Sequence, residues 1–445
     1  MNNAEESFMQ EVCKLDFRVP TLGEASIPSP MSTSEFVEEE HRIAYFQDTQ
    51  VLKECFECDK EMPSFEAGGP RAKIYHDPTW ARAAIVTCGG LCPGINDVIK
   101  SLVNTLWFRY GVQSIYGIRY GYRGLVSTNK IKPIDLNPDL VDNIHEKGGS
   151  MLGSSRGPQP TEEILKTLSR LRVNILFTIG GDGTQRGAGE IAEAAMERGM
   201  ALSVIGIPKT IDNDLNFMDR TFGFETAVYA TGQVISCAHD EAKGTFNGIG
   251  LVKLMGRESG FIAAYASLAN SFVNFCVIPE DDMMLRGENG LLAAVERRLQ
   301  EKDHCVIVVA EGAGQEWFDG ENEAHDASGN VKLRDVGTYL KAKLGEYLSE
   351  KGIEHSVKYF DPSYIIRSVP AHGTDAVFCL DLAENAVHAA MAGKTSMVIG
   401  HWYGSFVHVP VSLAVRERRK IDPDSQFWHT VLGATRQYRY FEKGL

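Results

Sequence analysis

The sequence predicts an α/β protein, and two observations lead to that fold class. Short, continuously apolar segments such as residues 175–179 alternate with segments of helical periodicity such as residues 95–106. A strand that is apolar throughout is buried on both faces, which is typical of parallel sheets covered by helices. Glycine-rich loops directly follow the first strands, as they do where parallel sheets bind ligands. A single sheet of about ten strands would be unusually wide. We therefore expect two Rossmann-like lobes with mainly parallel sheets and an active-site cleft between them.

The predicted elements follow one another regularly after residue 80. Apolar runs predict strands at residues 83–86, 114–118, 175–179, 202–207, 250–254, 275–278 and 305–309. Helical spacing predicts a helix that Gly111 closes, one that Gly199 stops, and others at about 259–270, 290–302, 335–350 and 374–392. Residues 1–77 show no clear period and contain five prolines, so they are predicted to form an N-terminal extension that is packed on the main body or wrapped around it.

The composition excludes several classes of protein. Lys and Arg number 45 against 59 Asp and Glu, and this net charge of -14 argues against a nucleic-acid partner. No apolar run approaches the roughly 20 residues that cross a bilayer, and the first residues carry acids where a secretion signal would carry bases. The nine cysteines are scattered and odd in number, which fits reduced thiols. We therefore expect a cytoplasmic protein without a membrane partner.

Two glycine-rich loops stand at predicted strand–helix junctions. The first, CGGLCPG at residues 88–94, would let backbone N–H groups approach a phosphate, although a plain tight turn is the alternative. The second, GGDGT at residues 180–184, carries Asp182 where a metal bound to phosphate could be held, or where an Asp simply caps the helix. Two such junctions in one half of the chain favour phosphate binding.

A third segment, PKTIDND at residues 208–214, also follows a strand. In an extended segment, residues two apart face the same way, so we expect Asp212 and Asp214 to look into one site with Lys209 and Thr210 beside them. The alternative is a pair of solvated turn residues. Arg156, Arg257 and Arg367 lie in further motifs, and each arginine alone would be an ordinary surface charge.

Together, these motifs resemble those of the 6-phosphofructokinases, most closely the longer ATP-dependent branch of kinetoplastids and plants. The resemblance runs from about residue 80 to about residue 430 and follows the family order. It rests on GGLCPGIND, GYRGL, LGSSRG, GGDGTQRG, PKTIDNDL, LMGRESGFIA, AEG and residues 364–367. GGDGT alone is weak evidence for this family, because NAD kinases and diacylglycerol-type lipid kinases also carry it. The combination of PKTIDND with MGR is highly specific for the family.

The resemblance implies an activity and a set of site residues. The activity is glycolytic transfer of the γ-phosphoryl of MgATP to the C1 hydroxyl of D-fructose 6-phosphate. The implied catalytic residues are Asp212 as base, Lys209, Thr210 and, as a helper, Asp214, with Asp182 holding Mg²⁺. The implied ATP-binding residues are Gly90, Tyr122, Arg156, Gly181, Asp182, Gly183 and Thr184. The implied fructose 6-phosphate-binding residues are Thr210, Asp212, Met255, Gly256, Arg257, Glu311, Lys358, Tyr364 and Arg367.

The resemblance also implies a domain organisation and an assembly. After the extension at residues 1–77, we expect a nucleotide-binding lobe at residues 78–224, completed by about 366–415. A sugar-phosphate-binding lobe is expected at residues 225–365, completed by about 416–445. The family commonly forms tetramers, so a homotetrameric allosteric enzyme is implied. Many short bacterial members carry an arginine that reaches a neighbouring subunit, but the aligned residues here are Asn247, Gly248 and Ile249.

Two residues give opposite indications of the phosphoryl donor. Pyrophosphate-dependent members typically carry Asp at the position of Gly183, where the side chain would crowd and repel the α-phosphate of ATP. Lys209, however, is the residue usual in pyrophosphate enzymes. A clash excludes a ligand whereas a lysine merely favours phosphate, so we expect ATP, with pyrophosphate as the alternative. More distant alternatives are an NAD or lipid kinase and a catalytically inactive regulatory subunit.

Overall fold

The apolar strands form two large sheets in the computed structural model of this chain, which describes residues 9–32, 35–57, 62–320, 324–325 and 331–441. The ends of the expected extension and second lobe, residues 1–8 and 442–445, lie outside the described residues. Unit 1 comprises residues 1–210, 215–222 and 370–417, and unit 2 comprises residues 211–214, 223–369 and 418–445.

The strands run in chain order from β1 to β15. They are β1 (Ile27–Pro28), β2 (Arg42–Ala44), β3 (Ser64–Ala67), β4 (Lys73–Ile74), β5 (Arg82–Thr87), β6 (Ser114–Ile118), β7 (Ile134–Asp135), β8 (Ile175–Gly180), β9 (Ser203–Pro208), β10 (Gly248–Leu254), β11 (Phe275–Val277), β12 (His304–Ala310), β13 (Ser356–Phe360), β14 (Met397–Trp402) and β15 (Ser405–Pro410).

The helices are numbered in the same way. They are α1 (Thr49–Glu57), α2 (Ile95–Asn104), which continues as a π-helix over Thr105–Tyr110, α3 (Pro138–Val141), α4 (Thr161–Leu171), α5 (Asp182–Glu197), α6 (Phe224–Lys243), α7 (Phe261–Ala269), α8 (Leu291–Lys302), α9 (Val336–Glu350), α10 (Ser363–Ile366), α11 (Gly373–Met391), α12 (Val411–Ala414) and α13 (Gln426–Thr435).

Unit 1 contains a sheet of nine strands in the order β2-β3-β15-β14-β9-β8-β5-β6-β7. The central strands β14, β9, β8, β5 and β6 are parallel, and all of them except β14 were predicted from their apolar runs. The margins are antiparallel, because β14 and β15 form a hairpin and β3 and β2 from the extension pair beyond it. The hairpin turn has positive φ at Tyr403 (49°) and Gly404 (81°), the conformation of tight hairpin turns.

The N-terminal segment is packed onto unit 1. Phe17 and Phe65 meet edge to face with ring centroids 4.9 Å apart, in a buried cluster that also includes Val398. The backbone N–H of Leu22 donates to the carbonyl of Gly393 at 2.9 Å. Apolar burial and backbone pairing together fix this segment.

Unit 2 contains a parallel sheet of four strands in the order β11-β12-β10-β13. Helix α6 lies directly on β10, because a Cβ on Gly250 would come within 3.0 Å of the Ala238 side chain. Sequence periodicity did not predict α6, since its buried face consists mostly of Ala and Thr instead of large apolar residues. Glycines in β10 and small residues in α6 therefore permit a close approach of backbone to backbone.

Candidate active site

Lys209 brings the three predicted motif segments of unit 1 together. It directly follows β9, and its backbone N–H donates to the carbonyl of Gly180 at 3.0 Å, where GGDGT begins. Its Nζ donates to the carbonyl of Gly90 in the CGGLCPG loop at 2.7 Å. The residue is only 5% exposed. Lys209 thus contacts GGDGT through its backbone and places a buried ammonium group on the CGGLCPG loop, where phosphate charge would accumulate.

The GGDGT segment forms the first turn of α5. The helix begins at Asp182, and a side chain on Gly183 would meet nothing within 4 Å. The Asp182 carboxylate pairs with Arg186 at 3.2 Å and is partly exposed. Gln185, which the sequence analysis did not select, is fully buried, and its amide donates to the carbonyls of Gly180 at 2.8 Å and Ile207 at 3.1 Å. Gln185 therefore joins the ends of β8 and β9; its only sequence signal is its place beside GGDGT.

Tyr122 is hydrogen-bonded to the same first turn of α5. Its hydroxyl donates to the carbonyl of Thr184 at 2.9 Å, and its side chain is buried. Burial raises the pKa of the Tyr122 phenol well above its ordinary value, so the group stays a neutral donor.

Arg156 lies on a loop that is bonded to CGGLCPG. The hydroxyl of Ser154 donates to the carbonyl of Gly89 at 2.6 Å, and the N–H of Gly89 donates to the carbonyl of Ser155 at 3.0 Å. Arg156 follows directly and is exposed. The structure thus brings Gly90, Tyr122, Arg156, Gly181, Asp182, Gly183, Thr184 and Lys209 to the carboxyl ends of β5, β8 and β9.

The segment with the predicted base is a turn, which corrects the extended geometry expected from the sequence. Residues 211–212 form a turn, and Asn213 has φ 52°. The rule that residues two apart face the same way therefore does not apply to Asp212 and Asp214. The carbonyl of Asp212 accepts a hydrogen bond from the hydroxyl of Ser259 at 3.3 Å, which ties this turn to the MGRESG segment.

The MGR and AEG motifs of unit 2 meet at the ends of β10 and β12. The N–H of Glu311 donates to the carbonyl of Leu254 at 2.9 Å, and the N–H of Gly312 donates to the carbonyl of Gly256 at 3.0 Å. Burial raises the pKa of the Glu311 carboxyl, while the charges of Lys253 and Arg257 oppose that shift. Met255, Gly256, Arg257 and Glu311 are thus adjacent.

Lys358, Tyr364 and Arg367 come from the neighbouring strand β13 and the short helix α10. Lys358 pairs with Gly250 of β10 in the sheet register. The guanidinium of Arg367 lies over the ring of Tyr364, 4.5 Å from its centroid. The ring of Tyr364 itself is largely exposed.

Lys253 is a further charged residue of this region that the sequence analysis did not select. Its Nζ lies 2.8 Å from the Asp361 carboxylate, which also accepts the N–H of Ser363 at 3.2 Å. Burial lowers the pKa of Lys253, but the hydrogen bond to Asp361 and the negative charges around it together outweigh burial and raise the pKa overall. Lys253 thereby fixes the start of α10, and its only sequence signal is a charge inside an apolar strand.

The described residues also limit what else the chain can hold. Within them, no helix is long and apolar enough to cross a membrane. No group of three or more His, Cys, Asp or Glu side chains in the described ranges could hold a metal ion. The described cysteines are free thiols.

Two glycine-rich loops lie at the ends of parallel strands, and a buried lysine contacts both of them. The chain continues into a turn with two carboxylates. These features are typical of an α/β phosphotransferase. The family model described as "Phosphofructokinase" matches residues 82–390. The chain belongs to the phosphofructokinase family, and the resemblance inferred from its motifs is confirmed.

Similar proteins extend this result over most of the chain. An "ATP-dependent 6-phosphofructokinase" of Borreliella burgdorferi is 48% identical over 437 residues, which cover 95% of this chain and 97% of the relative. One of Trypanosoma cruzi is 48% identical over 369 residues, covering 82% of this chain and 75% of the relative. A pyrophosphate-dependent phosphofructokinase from Marinobacter aquaeolei has a similar solved structure, with TM-score 0.64, 21% identity and coverage of 80% of this chain and 91% of that one. This last similarity supports the α/β fold alone.

Proposed function

We propose that this chain is an ATP-dependent 6-phosphofructokinase, which transfers the γ-phosphoryl group of MgATP to the C1 hydroxyl of D-fructose 6-phosphate. The product is fructose 1,6-bisphosphate. The observation that carries the proposal is that Lys209, three residues before Asp212, binds both glycine-rich loops. One short segment thereby supplies a cation for donor phosphates and a carboxylate for the acceptor hydroxyl. The names of the relatives in B. burgdorferi and T. cruzi support ATP as donor.

In the proposed reaction, Asp212 accepts the proton of the C1 hydroxyl as that oxygen attacks the terminal phosphorus. An ordinary Asp has a pKa near 3.9 and is a weak base at neutral pH. Weakness is tolerable, because phosphoryl transfer passes through a loose transition state in which the proton leaves late. Lys209 and Thr210 stabilise charge on the transferring group, and Asp214 assists.

The sugar phosphate is assigned to unit 2. Arg257, Lys358 and Arg367 supply positive charge for the 6-phosphate, and arginine suits a phosphate because its planar fork donates two parallel hydrogen bonds. Met255, Gly256, Glu311 and Tyr364 complete the proposed sugar site. The adjacency of the MGR and AEG motifs supports this assignment.

Mg²⁺ fits the donor set near α5, since this ion commonly takes one or two carboxylates and completes its shell with phosphate oxygens and water. We assign Asp182 as that carboxylate. It is partly exposed and pairs with Arg186, which would have to release it. When bound, the ion would offset phosphate charge during transfer.

Gly183 supports ATP over pyrophosphate. A Cβ on Gly183 would meet nothing within 4 Å, so the glycine leaves open the space that an Asp side chain would take from the α-phosphate of ATP. Lys209, the residue that favours pyrophosphate, is here bound to the carbonyl of Gly90. Its presence therefore has a structural reason that does not depend on the donor. We further propose a homotetrameric, cytoplasmic enzyme, as the resemblance and the composition imply.

The test is a coupled assay of initial rates with fructose 6-phosphate and either MgATP or magnesium pyrophosphate. We expect turnover with MgATP and little with pyrophosphate. A faster rate with pyrophosphate would overturn the donor assignment. Phosphorylation of NAD or diacylglycerol in place of the sugar would overturn the acceptor, and inactivity with every pair would indicate a regulatory subunit.

A further inference from the structure

A basic segment outside the recognised motifs, RERRK at residues 416–420, contains a mostly buried arginine. The side chain of Arg418 is 23% exposed, whereas that of Arg416 is 42% exposed and pairs with Glu11 at 2.7 Å. Burying an arginine is unfavourable unless its charge is paired. The position of Arg418 therefore depends on the groups around it.

Those groups are two carboxylates from the two most specific motifs of the chain. Nη1 of Arg418 lies 3.1 Å from Oε1 of Glu258 in MGRESG. The same atom lies 3.7 Å from Oδ2 of Asp214 in PKTIDND. A planar guanidinium can serve two carboxylates at once, which a lysine does less well.

The backbone beside Arg418 strengthens this connection. The N–H of Arg419 donates to the carbonyl of Asp214 at 2.9 Å. The N–H of Ile421 donates to the carboxylate of Glu280 at 2.9 Å, and that carboxylate also accepts the N–H of Gly260, just before α7, at 2.9 Å. Residues 418–421 are thus bonded at one end to the turn at 211–214 and at the other to the start of α7.

The turn held in this way is the one that carries Asp212. Asp214 is 8% exposed, so the turn is nearly buried at that point. On the MGRESG side, the hydroxyl of Ser259 donates to the carbonyl of Asp212. Arg418 and Ser259 therefore fix the turn on either side of Asn213.

We propose that Arg418 is a positioning residue for phosphoryl transfer: by pairing with Asp214 and Glu258 it holds the 211–214 turn so that Asp212 faces the acceptor hydroxyl. The inference rests on the proposed function for the role of Asp212. Misplacing a catalytic group by about 1 Å costs on the order of a hundredfold in rate. Loss of Arg418 should therefore lower kcat and leave substrate affinity nearly intact.

The experiment compares Arg418→Met, Arg418→Lys and the control Arg416→Met in the full chain. Methionine removes the charge and keeps a long apolar stem. We expect Arg418→Met to lower kcat about 10- to 100-fold, with the KM for each substrate changed less than about threefold. Arg418→Lys should recover part of the loss, because one ammonium restores one ion pair. Arg416→Met should leave kcat unchanged.

A double-mutant cycle with Glu258→Gln tests the pairing itself, since the two kcat losses should combine less than multiplicatively. Hydrogen exchange of residues 209–216 provides a readout that needs no activity, and we expect faster exchange in Arg418→Met only. Normal kcat in Arg418→Met, unchanged exchange in that turn, or loss of sugar binding equal to the loss of kcat would each overturn the inference. A wild-type chain inactive with MgATP and fructose 6-phosphate would overturn the proposed function instead, while the exchange result still decides whether Arg418 holds the turn.

Discussion

Lys209 shows how a single side chain can support both structure and chemistry. Its ammonium group is nearly buried and donates a hydrogen bond to the Gly90 carbonyl. A buried cation is stabilised further by an approaching anion, because the local dielectric is low. The same hydrogen bond that fixes the loop therefore prepares it for phosphate.

At the same scale, Gly183→Asp should reduce turnover with MgATP far more than it reduces stability. The added side chain meets open space, and an acid in the first turn of a helix is favourable. We expect the thermal midpoint to change by less than about 2 °C while the initial rate with MgATP falls strongly. Gly183→Ala is the control and should retain most activity; an unfolded Gly183→Asp, or one with normal MgATP turnover, would contradict the prediction.

Replacement of Asp212 should affect the chemical step. Asp212→Ser is expected to lower kcat by about 10²–10⁴, the usual cost of losing a general base, with modest change in substrate binding. Steady-state kinetics and calorimetric titration with fructose 6-phosphate separate the two effects. Near-normal turnover would remove Asp212 from its assigned role.

The residue scale also shows where sequence reasoning ends. The glycine-rich loops and Lys209 could be predicted, because their spacing after strands is local. Gln185, Lys253 and Arg418 could not, because each acts through contacts with distant segments. The extended geometry predicted for residues 211–214 was wrong, because no local sequence signal indicated the left-handed conformation of Asn213.

At the scale of elements, the strands β5, β6, β8, β9, β10, β11 and β12 agree with the predicted apolar runs within a few residues. The predictions omitted, among other elements, α4, α6, α13, β13 and the hairpin of β14 and β15. Helix α6 has few large apolar residues on its buried face, and a Tyr-Gly turn is not a common hairpin signal. Long apolar segments were therefore predictable, whereas elements stabilised by close approach or by an unusual turn were not.

The packing of α6 on β10 leads to a stability prediction. Gly250→Ala places a methyl group against the backbone of Ala238, and we expect a loss of about 1–3 kcal/mol in the free energy of unfolding. Gly433→Ala in α13 is the matched control, because a Cβ there meets nothing within 4 Å. It should be neutral or stabilising by up to about 1 kcal/mol. Urea unfolding measures both; equal stability of the two variants would contradict the prediction.

Buried histidines of unit 1 predict that the free energy of unfolding of the chain depends on pH. Burial lowers the pKa of His76 to about 4 and that of His388 to about 3, and it also lowers the pKa of His408. The hydroxyl of Tyr110 is 2.8 Å from Nδ1 of His388, and Ser203 is 3.0 Å from Nε2 of His76. The folded chain therefore holds these rings neutral.

Because the folded pKa values lie below the unfolded value near 6.5, the unfolded state binds more protons as pH falls. Stability is full above pH 6.5 and decreases below it. The decrease amounts to roughly 2 kcal/mol for His76 and roughly 2 kcal/mol for His388 at pH 5. Burial raises the pKa of Glu66, but His408 and Lys394 together outweigh burial and lower that pKa to about 2. The contribution of Glu66 to stability is therefore lost only below about pH 4.5.

Urea unfolding at pH 7.5, 6.5 and 5.5 checks this prediction. The free energy of unfolding should fall between the last two points, and His76→Gln should reduce the slope. Stability that is flat or rises between pH 6.5 and 5.5 would contradict it.

The route of the chain has a consequence for synthesis on the ribosome. Unit 2 gathers residues 211–214, 223–369 and 418–445, so neither half of the protein is one uninterrupted stretch. The side chain of Gln437 bonds the N–H of Cys276 in β11 at 2.8 Å, which makes late residues part of an early sheet. A nascent polypeptide must therefore reach residues 418–445 before that core can close, and no single cut of the chain would separate the two units from each other.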